Sequence, residues 1–246
     1  MAPIEIAVMN ASTVLTDAQV QAIIPALQIQ VNRDFAPAWG QDANLAFFAQ
    51  GAAPSGSWWL SAFDNSDQAG ALGYHDLTTE GLPLGKFFAG TDIQGGTQWT
   101  VTASHELLEM LADPDVNLCG YSQDSNNNTI FYAYEVCDAC EGDQFGYSIN
   151  ATLVSDFVYP AWFESFHQPG STQFDYQNKV QKPFQLLAGG YISILDPTSN
   201  NGWTQSVSQD SEPVYGMRAP VGSRRERRRI PRSHWLKSDP RIKPAK

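Results

Sequence analysis

Ser104-His105-Glu106-Leu107-Leu108-Glu109-Met110-Leu111-Ala112-Asp113-Pro114 is the stretch that decides how this chain is read. It has the form of a helix end carrying His105 and Glu109 four residues apart. A helix turns once every 3.6 residues, so positions i and i+4 stand one above the other on one face. An imidazole and a carboxylate placed that way can grip one metal ion. Glu106, about 100° round the helix, can stand beside the ion and handle a proton. This is the geometry of the metalloprotease HExxH helix with the second histidine replaced by glutamate. The stop is chemical: proline pushes the residue before it out of the α region, so Asp113-Pro114 closes the helix.

Around this stretch the composition is that of a protein with a packed core. The chain has 246 residues, 42% hydrophobic and 12% aromatic, enough for one large domain. No run of 18 apolar residues occurs, so no membrane-spanning segment is expected. Met1-Ala2-Pro3-Ile4-Glu5-Ile6 lacks the basic start and apolar run of a secretory signal. The expected location is the cytoplasm or a virion.

The net charge of −11 hides a division: residues 218–246 hold 11 of the 15 Lys and Arg, opposed only by Glu226 and Asp239. Residues 1–217 keep Arg33, Lys86, Lys179 and Lys182 against the other 24 of the 26 acidic side chains. An acidic body argues against nucleic-acid binding by the folded part and favours metal ions or cationic substrates. The basic segment 218–246 is expected to be a flexible tail. It would either contact nucleic acid or an acidic protein surface, or remain solvated.

Periodicity supplies the rest of the expected architecture. Ile4–Met9 alternates as a first strand. Thr16-Asp17 offers a helix N-cap, followed by apolar positions at helical spacing to about Arg33, with Pro25 bending the helix or delaying its start. Strands are expected at 45–48, 58–63, 71–76 and 86–89, then the metal helix at about 97–112. Residues 115–129 read as a polar loop. Ile130–Val136, Tyr147–Val154 and Gln185–Leu195 read as further strands.

Two ligands are too few for a tight metal site, so a third must come from elsewhere. Tyr134-Glu135-Val136-Cys137-Asp138-Ala139-Cys140-Glu141 offers three carboxylates in seven residues at a strand end. Glu135 or Asp138 is the expected third ligand. Oxyanion support would come from a nearby donor, with His75 and Tyr147 as candidates. In the loop Asp124–Thr129, oxygen side chains stand at positions 1, 3 and 5, and Glu135 stands at position 12 of calcium-loop spacing. Position 6 is Thr129 rather than glycine, however, and an Asx-rich turn is the expectation. Cys137 and Cys140 are expected as packed thiols or a local disulfide. The alternative is a structural zinc site using both thiols, a histidine and a glutamate.

Ser104–Pro114 taken with Glu135-Val136-Cys137-Asp138-Ala139-Cys140-Glu141 resembles a family of largely uncharacterised bacterial and phage proteins. Their pattern is an SHExxE…DP helix followed by an E-x-x-D-x-C/V-E segment. Gly73-Tyr74-His75-Asp76 and Gly81-Leu82-Pro83-Leu84-Gly85-Lys86 also look like that family. The Glu141-Gly142 pair is similar to plant Exordium (phosphate-induced) proteins, which carry HELxE followed by E-I-x-D-x-C-E-G. The resemblance covers residues 4–217 and implies a zincin-like metal helix.

The expectation is therefore an α+β, zincin-like domain over 1–217. It has a small mixed sheet, a backing helix near 17–33, the metal helix and a β-rich C-terminal half, with the basic tail beyond. The expected activity is metal-dependent hydrolysis, of a peptide or protein substrate. His105, Glu109 and Glu135 or Asp138 would be ligands of a divalent ion, and Glu106 the general base acting on a metal-activated water. Zn²⁺ is the first choice; one histidine among carboxylates is a hard donor set that would also suit Ca²⁺ or Mn²⁺. The rival is a non-catalytic protein, for example virion-associated, that keeps the metal to stabilise its fold.

Overall fold

A computed structural model describes residues 4–68, 71–124, 126–199 and 201–208. The basic segment 218–246 lies outside the described residues. The chain is a mixed α+β fold. Its first half runs β1 (Ile4–Asn10), α1 (Asp17–Ile29), α2 (Ala36–Trp39), β2 (Ala43–Phe47), β3 (Trp58–Phe63), β4 (Gly73–Leu77), β5 (Pro83–Phe88), α3 (Ala89–Gly95) and α4 (Trp99–Ala112). The five strands form one sheet in the order β2-β1-β3-β5-β4. All neighbours are parallel except the edge pair β4–β5, which is antiparallel.

Period-2 alternation divides the two faces of this sheet. Ile6, Val8, Leu60, Ala62 and Phe87 point to one side and share a core with Val20, Ile23 and Leu27 of α1 and Leu107, Leu108 and Leu111 of α4. Ala7, Met9, Trp59 and Leu84 point to the other side and pack with Ala53. Both long helices therefore lie on one face.

The N-cap expectation holds in full. The Thr16 side chain accepts from the Gln19 backbone N–H, and Gln19 reaches back to the cap, which completes a capping box. The stretch after α1 differs from expectation. Pro25 stands inside the helix, and Gln30–Phe35 continues as a π-helix before α2. The wider turn buries Asp34, whose carboxylate accepts from Arg33 Nε (2.6 Å), Tyr147 Oη (2.9 Å) and Tyr176 Oη (2.9 Å).

In α4 every residue from Val101 to Ala112 is buried, because the helix is roofed by the sheet and floored by the second half of the chain. It ends at Asp113, as Pro114 requires. The Asp113 carboxylate accepts from the Asn117 and Leu118 N–H groups (2.8 and 2.9 Å) and so shapes the loop that follows.

The second half carries β6 (Cys119–Gln123), β7 (Thr129–Ala133), β8 (Tyr147–Ile149), β9 (Thr152–Val154), β10 (Tyr191–Leu195) and β11 (Trp203–Val207). Four of these make an antiparallel sheet, β11-β10-β7-β6, and β8–β9 is a hairpin. Three expectations are corrected here. The loop at 115–129 contains strand β6, paired from Cys119↔Ala133 to Gln123↔Thr129. The single strand at 147–154 is two strands, turned at Asn150 and Ala151, both with positive φ (49° and 64°), the form that matches strand twist in a two-residue hairpin. Strand β11 had no counterpart in the expected elements. The loop Asp124–Thr129 is an Asx-rich turn as expected: Asp124 Oδ1 accepts from the Asn126 and Asn128 N–H groups, both at 2.8 Å.

Candidate metal centre

The centre is built from three pieces of chain: α4, the edge strand β4, and the segment after β7. α4 supplies His105, Glu106 and Glu109. The motif serine beside them holds the helix to its floor. Ser104 Oγ donates to the Val101 carbonyl (3.0 Å) and accepts from the Ser155 N–H (2.6 Å).

The segment after β7 leaves its strand at Ala133 and turns through a 3₁₀ helix, Asp138–Cys140. It is fixed on both sides: the Val158 N–H donates to the Val136 carbonyl (2.7 Å) and the Leu187 N–H to the Ala139 carbonyl (2.9 Å). That path carries Glu135 and Asp138 in over the metal helix, as the sequence suggested.

β4 contributes through its pairing with β5. Gly73 is opposite Phe87, Tyr74 opposite Lys86 and His75 opposite Gly85. Alternation then sends Gly73, His75, Gly85 and Phe87 toward α4, and Tyr74 and Lys86 to the far side. The two glycines let the helix come close. A Cβ on Gly73 would lie 2.6 Å from Glu106 Cγ and Oε1, and one on Gly85 would lie 3.5 Å from the Glu106 carbonyl oxygen. Lys86 is occupied behind the sheet, where its Nζ donates to Asp67 Oδ2 (2.9 Å) and Tyr74 Oη (2.7 Å).

Every donor is removed from water: His75 and Glu109 are 0% exposed, Glu135 and Asp138 1%, Glu106 2% and His105 4%. His105 Nε2 lies 3.1 Å from Glu109 Oε1 and 3.1 Å from Asp138 Oδ1. Neither contact has the geometry of a hydrogen bond, and Asp138 Oδ1 accepts none. A ring N–H points in one direction only, whereas a cation satisfies several donors at once. His75 Nδ1 lies 3.5 Å from Glu109 Oε2 and 3.8 Å from Glu135 Oε2.

Among the described residues two groups bring three ligand atoms within 4.8 Å of one another: His105, Glu109 and Cys137, and His75, Glu109 and Glu135. These buried groups can hold a metal ion. Burial pulls the His105 imidazolium down, but the charge of Glu109 and the nearness of Asp138 and Glu106 outweigh it and hold the ring well above its ordinary pKa. Burial, reinforced by Glu109, pushes the Cys137 thiol well up.

The chain matches no family model, no curated protein and no solved structure. What the site can do therefore rests on its own geometry.

Of the expected residues, His105, Glu109 and Glu135 fall in these groups, while Asp138 lies 3.1 Å from His105 and Glu106 stands on the same helix, in neither group. Glu141 belongs to neither group of three. Tyr147 is elsewhere, bonded to Asp34. One residue was missed as a candidate ligand, and a second, Cys137, was weighed only in the alternative zinc reading. His75, weighed only as an oxyanion donor, faces Glu109. Alternation from Gly73 through Tyr74 to His75, beside a second glycine at 85, was the available signal. Cys137 joins His105 and Glu109, and no disulfide forms: Cys137 and Cys140 are both free and buried. Cys140 turns back instead, its Sγ 3.6 Å from the Cys137 carbonyl oxygen. Of the two expected forms, packed thiols or a local disulfide, the packed thiols are found, and only Cys137 falls in a group that could hold a metal ion.

Near Glu106 lies a further acid. Asp92 is 0% exposed. Burial lifts its carboxyl to about 7, against the Thr97 and Thr102 hydroxyls that bond it and with the charges of Asp143 and Glu106 adding to the rise.

Proposed function

We propose that this chain is a metal-dependent hydrolase, a metallopeptidase of the HExxE type on a zincin-like scaffold. The observation that carries the reading is the buried group His105, Glu109 and Cys137, whose ligand atoms lie within 4.8 Å of one another, with Asp138 Oδ1 3.1 Å from His105 Nε2 and Glu106 on the same helix against the edge strand. A mixed five-stranded sheet with one antiparallel edge above the metal helix supports the scaffold, as does the two-part motif.

His105, Glu109 and Cys137 would hold the ion, with Asp138 beside His105. One nitrogen, a carboxylate and a thiol favour Zn²⁺. A divalent ion there supplies Lewis acidity and makes water acidic enough to deprotonate near neutral pH. Glu106 would accept a proton from the attacking water on its carboxylate and return it to the leaving amine. Burial keeps bulk water from competing for the transfer.

Glu106→Gln is the test. Hydrolysis of a peptide library should fall by about 10²–10⁴ while elemental analysis finds the wild-type metal content. Equal turnover in the variant, or wild-type protein that takes up neither Zn²⁺, Mn²⁺ nor Ca²⁺, overturns the reading. One observation favours the rival, a metal held only to stabilise the fold: every donor is at most 4% exposed. On that reading wild type has no turnover, yet loses stability when His105 is replaced.

A further inference from the structure

We propose that this site is dinuclear, with Glu109 bridging two divalent ions and His75 and Glu135 completing the second position. The inference rests on the metal-site reading above and extends it. The two buried donor groups, His105–Glu109–Cys137 and His75–Glu109–Glu135, share Glu109 alone. Its two oxygens are divided between them. Oε1 faces His105 Nε2 at 3.1 Å and accepts from the Cys137 N–H at 3.3 Å; Oε2 faces His75 Nδ1 at 3.5 Å. A carboxylate that offers one oxygen to each side is the usual bridge of two-metal sites, whose ions stand about 3.5–4 Å apart.

The spacings on the His75 side suit an ion better than hydrogen bonds. Ligand atoms each about 2.0–2.2 Å from a tetrahedral ion stand roughly 3.3–3.6 Å from one another. The observed separations are 3.5 Å to Glu109 and 3.8 Å to Glu135, beyond the range of a normal N–H···O bond. On the other side, His105 Nε2 and Asp138 Oδ1, 3.1 Å apart, are buried with no hydrogen bond.

Charge points the same way. Glu106, Glu109, Glu135 and Asp138 are four buried carboxylates beside two imidazoles. With both imidazoles neutral and the Cys137 thiol ionised, as metal binding requires, the negative charge is five, more than one divalent ion neutralises. The Lys and Arg side chains of the described residues are engaged elsewhere. Arg33 is with Asp34 and Lys86 with Asp67, while Lys179 and Lys182 are exposed. The two positions differ in chemistry. The His105 side adds a thiol and suits Zn²⁺; the His75 side has one nitrogen and two carboxylates and accepts Zn²⁺ or Mn²⁺.

The experiment is metal stoichiometry on the full chain after equilibration with Zn²⁺ and removal of excess, read by elemental analysis. Wild type should hold two ions per chain, and His75→Ala one. X-ray absorption at the zinc edge should add a metal–metal vector at about 3.5–4 Å in wild type, absent in His75→Ala. The wild-type spectrum decides the matter even where the variant fails to fold, and His75→Gln supplies a second variant of similar polarity. One ion in wild type with no metal–metal vector overturns the dinuclear site and leaves the single-ion hydrolase standing. Two ions in wild type and two in both His75 variants overturn the assignment of His75. No ion in wild type removes both readings.

Discussion

Two buried acidic clusters in this protein meet the same problem in different ways. Asp156 and Asp175, both 0% exposed, lie side by side in the C-terminal half. Backbone N–H groups attend them: Phe157 and Gln177 donate to Asp156 Oδ1 (2.8 and 3.1 Å), and Val180 and Lys179 donate to Asp175 (both 2.9 Å). Burial first, then the hydrogen bond and charge of Asp175, push the Asp156 carboxyl well above its ordinary range, which favours a proton held on Asp156. The cluster on α4 has two imidazoles and a thiol among its carboxylates, and its closest contacts are not hydrogen bonds. Buried carboxylates are common enough. What marks a candidate cation site is imidazole and thiol donors gathered with carboxylates within 4.8 Å of one another.

The comparison predicts opposite responses, and each can break it. The largest effect is expected from chelation. Stripping metal from wild type leaves uncompensated buried charge, at a cost of about 3–5 kcal/mol, read as a fall in Tm of roughly 6–20 °C for a chain of this size. His105→Ala should melt near the stripped protein and ignore chelator. A wild-type Tm indifferent to chelator would place the α4 cluster in the same class as the aspartate pair.

The next effect comes from the roof over Glu106. Gly73→Ala puts a methyl 2.6 Å from the Glu106 side chain and 2.8 Å from the Lys86 carbonyl oxygen. Overpacking of this kind costs about 1–3 kcal/mol, and it should cut turnover more than metal content. Wild-type melting and turnover in the variant would show the roof to be slack.

The smallest effect, per pH unit, belongs to the aspartate pair. Asp156 has a raised folded pKa, so between the ordinary carboxyl value and that raised value the folded chain binds a proton the unfolded chain has lost. Its stabilisation is full below about pH 4 and is lost as the pH climbs through the raised value, by at most about 1.4 kcal/mol per unit. Asp156→Asn should flatten that slope in urea titrations at several pH values and leave the chelator response intact. An unchanged slope would mean that Asp156 does not hold a proton in the folded chain above its ordinary range.

Much of this was legible in the sequence where the determining chemistry is local. Thr16-Asp17 announces a helix start, and Pro114 announces the end of α4. The i, i+4 spacing of His105 and Glu109 and the crowding of carboxylates at 135–141 pointed to His105, Glu109 and Glu135, which fall in the buried groups. What was not legible depends on partners distant in the chain. β6 alternates exposed and buried residues in a polar stretch and declares itself only through its pairing with β7. The π-helix at Gln30–Phe35 is set by the tyrosines that reach Asp34 from residues 147 and 176. His75 and Cys137 carried readable signals, one in strand alternation and one in its place beside Asp138. Their common neighbour Glu109 appears only when α4, β4 and the segment after β7 are folded together.

The edge strand β4 has one further consequence. All five of its residues, Gly73–Leu77, are buried, although it has only one neighbour in its sheet. Its outer side is therefore covered, and so are the donors beneath it. An ion held there can leave only when that cover opens locally, so its residence time is set by protein opening rather than by ligand exchange. Metal acquired during folding would survive dilution and dialysis long after its equilibrium affinity predicts release. Any substrate would have to enter by that same slow motion.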